Sequence, residues 1–391
     1  MSQRVSIVTN NSGLPFVFYN GSPWGLLLKR EAFMNGKIAG AVTVLAGLLA
    51  LGGTATPASA TASTAAPSWH IVKSVRTAAV EEFTAVVATG KTTAWAFSGN
   101  ENTLPPTPEA WERNGSTWTR ENFPGKKNEE VVAAGATSPS DVWAFANSGL
   151  ASRVLRYNGH AWSVSATFKY PIGGADVLAP NDIWVFGWNG LAQQLGAWHY
   201  NGRTWTRVAE NVDGGSALSA SNVWGFSGTT IDHYNGRTWT RTSVAGLLPP
   251  KQRLTYPRVT GIYAQSADSV YAVGNGENNV LNAGGPLVVL HFNGHVWSKV
   301  AEGEFGYGTE PSQQIAPDGR GGFWLPMPGT VGAKSYLVHY SAGTLAPARL
   351  PASSAVMSIE AVASIPGGGQ ALAGGFTWVT NGSVGVILQY S

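Results

Sequence analysis

A chain of 391 residues with 43% hydrophobic content can bury one large core or two ordinary ones, which separates it from disordered chains. Only 12% of it is charged, the net charge is +3 and the Lys and Arg are scattered, so the sequence holds no nucleic-acid track. The 49 glycines and 16 tryptophans suit short strands joined by tight turns, and with no cysteine to form disulfides the stability has to come from burial.

The first recognisable pattern lies at residues 34–60. Lys29, Arg30 and Lys37 are followed by an apolar run at 38–51 and then by Ala58-Ser59-Ala60, the basic, apolar and small-residue parts of a secretory signal. The run is too short to span a bilayer comfortably. Residues 1–33 then read as an N-terminal extension, or as sequence ahead of a true start at Met34. Residues 61–67 read as a low-complexity linker, and 68–391 as an exported domain, monomeric and free of the membrane once the signal is removed.

Ser68-Trp69-His70-Ile71-Val72 opens that domain and matches a strand that recurs later in the chain. The recurring copies are ERNGSTWTR (112–120), RYNGHAWSV (156–164), HYNGRTWTR at 199–207 and again at 233–241, and HFNGHVWSKV (291–300). Asn-Gly between alternating apolar and polar residues predicts a hairpin, with positive φ at both positions of a type I′ turn. Ahead of each hairpin stands a second element: TTAWAFSG (92–99), SDVWAFAN (140–147), NDIWVFGW (181–188), SNVWGFSG (221–228) and DSVYAVGN (268–275). Small-residue strands precede these in turn, as in EEVVAAGAT (129–137), IGGADVLA (172–179) and VTGIYAQ (259–265).

One unit thus holds four strands in about 40–50 residues, the strand count and period of a propeller blade. Five units carry the hairpin, a sixth runs through DGRGGFWLP (318–326) to 350, and a seventh begins at IEAVASI (359–365) and stops at VILQYS (386–391), one strand short. Residues 68–72 supply that strand. The expected fold is therefore all-β, a seven-bladed β-propeller closed by pairing the N-terminal strand of the mature chain with the C-terminal blade.

In Val270-Tyr271-Ala272-Val273-Gly274, followed by Phe292-Asn293-Gly294 and Trp297, the chain resembles kelch-like and galactose-oxidase-like propellers. It is also similar to secreted bacterial propellers built from DVWAVG and HWNGTSW-type repeats. The resemblance covers nearly all of 68–391 and implies architecture only. The kelch double glycine is missing from most copies, and the copper-oxidase branch needs a cysteine that this chain lacks.

Near-identical turns serve repeated packing, so function is expected where the repeats diverge. The divergent loops are 98–109, 188–197, 243–257, 275–286 and 301–311, which the blade topology places on one face. Alignment on the second-strand aromatic residue puts Glu81, Glu82, Glu129, Glu130, Glu210 and Glu310 near the starts of innermost strands, with Arg258 at the matching place in blade 5. They form a partial acidic ring suited to a polyhydroxylated ligand or a cation, and Glu82, Glu130 and Glu310 are the candidates for acid and base. Trp188, Tyr256, Phe305 and Tyr307 are loop aromatics able to stack on sugars.

The His residues of the repeat (His199, His233, His291, His339) are expected to pack rather than bind metal, and Asn275 to Asn279 lacks the acids of a calcium loop. No metal and no cofactor is expected. The reading is a secreted, non-catalytic binding module for an extracellular glycan or protein, with no nucleic-acid partner. The alternatives are an extracellular hydrolase or lyase using the rim carboxylates, and a structural protein-interaction scaffold presenting a flat apolar patch.

Overall fold

The computed structural model describes residues 7–9, 15–17, 66–76, 81–100, 107–187, 195–251, 255–278, 283–284, 286–305, 311–329, 335–352, 356–380 and 382–391. The chain divides into two compact units, Met1–Ala66 and Pro67–Ser391. In the first, Ile7–Thr9 pairs antiparallel with Pro15–Val17, and the expected signal at 34–60 lies outside the described residues.

The second unit is a seven-bladed β-propeller, with Ala245–Leu247 the one helical turn among the described residues. Blade 1 runs outward through Glu81–Ala88, Thr93–Asn100, Thr107–Asn114 and Thr117–Glu121, each strand antiparallel to the last. The innermost strands of blades 2 to 7 are Glu130–Ser138, Gly174–Ala179, Gly214–Ser219, Thr255–Ser266, Ala316–Pro317 and Met357–Ile365. Blade 7 continues through Gln370–Val379 and Gly382–Tyr390, and its outermost strand is Trp69–Val75, with Trp69 opposite Tyr390. The N–H groups of Ser68 and Ser391 each donate to the other's carbonyl, so the first residues of the propeller are held by its last.

Aromatic interdigitation holds neighbouring blades together. The second-strand indole of one blade meets the outermost-strand indole of the next edge-on: Trp95 with Trp162 at 5.2 Å, Trp224 with Trp297 at 5.9 Å, and Trp324 with Trp69 at 5.2 Å. Burying one such ring stabilises the fold by about 4–6 kcal/mol as an upper bound, which explains why the repeat keeps both tryptophans. In blade 7 the second-strand position holds Leu372, packed in the same cluster as Trp118 of blade 1.

The repeat histidines pack as expected. His199, His233 and His339 stack on Trp184, Trp224 and Trp324, and His291 stacks on Tyr271, with ring centroids 4.0–4.5 Å apart. The Nε2 of each is bonded to Asp182, Asn222, Asp318 and Ser269 respectively, three of them at the start of the second strand and Asp318 in the turn just after the first. Arg156 takes the histidine's place in blade 2, over Trp143 and paired with Asp141.

The Asn-Gly turns differ from expectation. Only the glycine has positive φ, 90° at Gly159, Gly202, Gly236 and Gly294. The asparagine stays in the ordinary region because its side chain closes the turn: Asn201 Oδ1 accepts the N–H groups of Arg203 (3.0 Å) and Thr204 (2.9 Å). Four residues separate the paired Tyr200 and Trp205, so this is a wider loop than type I′.

A central cavity of about 340 Å³ is lined by innermost-strand residues of all seven blades. Gln314 crosses it from blade 6, its Nε2 donating to the carbonyls of Val132 (2.9 Å) and Thr84 (3.3 Å), and so ties blade 6 to blades 1 and 2.

Candidate functional site

The antiparallel order within each blade puts the second-to-third loops and the blade-to-blade connections on one face, and the Asn-Gly turns on the other. The described ends of all five divergent loops therefore share a face. Trp188, Tyr307 and Glu310 lie outside the described residues.

The expected acidic ring separates into distinct environments. Glu129 is buried and takes both a side-on pair with Arg153 of the third strand and the N–H of Lys126 at 2.8 Å. Arg153 also donates to the carbonyl of Pro124, so this pair anchors the connection from blade 1 to blade 2. Glu210 is exposed, three residues from Arg207 and 3.1 Å from it, ahead of the strand it was expected to start. Asp213 holds that place instead. Burial pushes its pKa up, while Ser227, the Gly228 N–H and Arg258 act against the rise. Arg258 is half-buried opposite Asn275, where the alignment put it. Glu82 pairs with Gly99 and is half-buried, and Glu130 pairs with Asn147 and is exposed.

Glu81 is the most unusual of the set. It is wholly buried where blade 7 meets blade 1, and among the described residues its carboxyl has only the Ser98 hydroxyl, itself otherwise unpartnered, within reach as a side-chain donor. Its backbone is clamped to blade 7: the N–H donates to Ser383 Oγ at 3.0 Å, and that hydroxyl donates back to the Glu81 carbonyl at 2.9 Å. Burial pushes its carboxyl up to about 7, the nearby Ser98 hydroxyl and Arg120 lowering it and Glu109 raising it further. Glu109, on the third strand of blade 1 opposite Ser98, is itself buried and pairs with Arg120 at 2.6 Å. Glu109, Arg120 and Phe123 help to line an open cavity of about 530 Å³.

Of the loop aromatics, Tyr256 is exposed, with Lys251 Nζ 5.3 Å from its ring. Phe305 is a correction: it is buried, edge-on to Tyr336 at 5.5 Å, because the chain leaving blade 5 folds over the apolar cluster between blades 5 and 6.

Sequence reasoning missed the seventh blade's contribution. Trp378 is 50% exposed and Val356 57% exposed, joined by a hydrogen bond from the Trp378 N–H to the Val356 carbonyl. Trp378 is the last but one residue of the second strand, Gln370–Val379, and Val356 precedes the first, so both lie on the loop-rich face. Trp378 lies opposite Ser383, the residue that clamps Glu81. The signal was present in FTWV at 376–379, but blade 7 lacks the Asn-Gly hairpin that guided the alignment.

No metal group is evident: among the described residues no three His, Cys, Asp or Glu cluster to hold one. Asn275, first in the candidate calcium segment, is turned inward with its Oδ1 unpartnered. The matching Asn147 of blade 2 bridges both the N–H and the carbonyl of Ile172. In blade 6 the place of Ile172 falls to Pro311, one residue before Ser312, and proline has no N–H to give.

No family model matches the chain, and no curated protein matches it. Among solved structures, YCF48 from Cyanidioschyzon merolae is similar over 83% of this chain and 98% of its own, at 12% identity and a TM-score of 0.51. U3-55K and the WD40 repeats of RRP9 are each similar at 11% identity and a TM-score of 0.54, over 83% of this chain and 99% and 98% of theirs. At such identities the likeness concerns the fold alone.

Proposed function

We propose that this chain is a secreted, non-catalytic binding propeller whose loop-rich face holds a segment of another protein. The observation that carries the reading is the pair Trp378 and Val356, a half-exposed indole beside an aliphatic side chain on the face where the repeats diverge. An exposed aromatic next to apolar surface is the kind of anchor that dominates protein interfaces. The similar structures share the propeller fold, on which such a use of the loop-rich face can be built. The kelch-like likeness of residues 270–297 belongs to the same reading, as a statement about repeat chemistry rather than activity. Secretion rests on the signal pattern at 34–60. N-terminal sequencing of protein recovered from the medium is expected to begin at residue 61, and recovery only from cells with residue 1 intact would contradict it.

The glycan reading draws on Tyr256, a residue 47% exposed on the same face. A peptide array and a glycan array, each probed with the protein and with Trp378→Ala, separate the two. Retention of peptides that is lost in the variant supports the protein reading. Retention of glycans that Tyr256→Ala abolishes would replace it. The hydrolase alternative, with Glu82, Glu130 and Glu310 as acid and base, is tested by release of reducing ends from a polysaccharide panel, and no release is expected.

A further inference from the structure

Resting on that reading, we infer that the binding site lies where blade 7 meets blade 1 and takes a polypeptide segment presenting a lysine or arginine next to an apolar residue. Three observations converge there. The first is the apolar pair Trp378 and Val356, already placed on the loop-rich face. The second is a buried acid short of donors: Glu81 is 0% exposed, and among the described residues the Ser98 hydroxyl, 1% exposed, is the one side-chain donor beside its two oxygens. A buried acceptor left unmade is costly, and a cationic N–H donor is the chemistry that removes the cost. The third is the route. Glu109 stands beside Glu81 and lines the open cavity of about 530 Å³, and its partner Arg120 is 60% exposed. Arg120 can therefore leave Glu109 for solvent with little loss of packing when another cation arrives.

The register joins these parts into one site. Trp378 and Ser383 are cross-strand partners, so their side chains share a face of blade 7, and Ser383 bonds the Glu81 backbone in both directions. A β-carbon placed on Gly385, two residues along that face, would come within 2.9 Å of Glu81 Cγ, so the glycine keeps blade 7 closed against the acid. An apolar side chain on Trp378 and a basic one entering toward Glu109 and Glu81 would thus come from neighbouring residues of one segment.

The groups facing Glu81 among the described residues are Glu109 and Arg120 of blade 1, with the uncharged Ser98, Ser383 and Gly385. Burial holds Glu81 protonated to about pH 7, whereas a bound cation favours its ionised form. Affinity for a basic peptide therefore rises between pH 6 and pH 8.

The experiment is a positional-scanning hexapeptide library panned on the full chain, followed by affinity measurements on the best hexapeptide. The expected result is enrichment of Lys or Arg adjacent to an aromatic or aliphatic residue, with tenfold or greater weakening by Trp378→Ala and by Glu109→Gln. Arg120→Gln is expected to tighten binding by two-fold or more, and Glu81→Gln to abolish the gain between pH 6 and pH 8. Trp378 is exposed, so its variant tests the site without threatening the fold. Enrichment of acidic peptides, weakening by Arg120→Gln, or binding that ignores Trp378→Ala while Tyr256→Ala destroys it would overturn this inference and leave the broader protein-binding reading standing. Failure to retain any peptide while glycans bind would overturn the broader reading itself.

Discussion

The junctions among blades 3, 4 and 5 and the junction between blades 7 and 1 meet the same packing need with opposite outcomes for their polar groups. In blade 3, Asp176 faces blade 4 and its Oδ2 accepts the Ala217 N–H at 2.6 Å; in blade 4, Ser216 Oγ accepts the Ala264 N–H of blade 5 at 3.2 Å. Each side chain lies opposite the second-strand tryptophan of its own blade, so one repeated position stitches one blade to the next. Where the two ends of the propeller meet, Ser383 makes the stitch to the Glu81 backbone, and the Glu81 carboxyl makes no bond across the junction, with only the Ser98 hydroxyl of its own blade beside it. Burial pushes both acids up, Asp176 to about 6 with its one backbone N–H and Glu81 to about 7. A buried polar group bonded across one junction and not across another marks where stability has been given up, and such places concentrate at working surfaces.

Removing what the junctions share has the largest expected effect. Trp69→Ala deletes the ring wedged between Trp324 and Tyr390 and should lower stability by about 3–5 kcal/mol, read as a lower urea midpoint. Arg153→Ala, which strands the buried Glu129, should cost a similar amount of about 3–5 kcal/mol. A smaller midpoint shift for Trp69→Ala than for the half-buried Trp239→Ala would break the equivalence of the closing strand with the others.

Next comes the contrast between the acids. The Glu81 carboxyl ordinarily titrates near 4.5 and does so at about 7 in the fold, so the stability of its protonated form is complete below pH 4.5 and lost as pH rises through 7. Glu81→Gln should therefore leave Tm unchanged at pH 4 and raise it at pH 8, by up to about 3 kcal/mol in stability. A variant that is less stable than the parent at pH 8 would mean that the ionised carboxyl is held by a partner. The smallest effect belongs to the Asn-Gly face: Asn201→Ala and Asn235→Ala remove paired side-chain acceptors on exposed turns and should cost about 1 kcal/mol each, additively.

The architecture was legible because its determinants are local and repeated. Trp at fixed offsets from Asn-Gly marks both the packing face and the turn, and Ser68 to Val72 could be matched to the missing strand by the same signature. The turn geometry was misread because the asparagine side chain, rather than its backbone, meets the demand of the loop. The fates of the carboxylates were hidden for another reason. The partner of Glu129 is Arg153, 24 residues away on another strand, and only the register of the blade brings them together. Trp378 escaped notice because the outermost strand of blade 7, Trp69–Val75, comes from the other end of the propeller, so no third-to-fourth hairpin marks that blade.

On the proposed function, the molecule works on its loop-rich face beside the seventh blade, and the repeated turns opposite serve packing. Hydroxyl-radical footprinting of the protein with its best-binding hexapeptide tests this directly, because Val356 and Val296 are equally exposed, at 57%, on opposite faces. Protection of Trp378 and Val356 with Val296 unchanged is the predicted result; protection of Val296, with Trp378 as reactive as before, would contradict it.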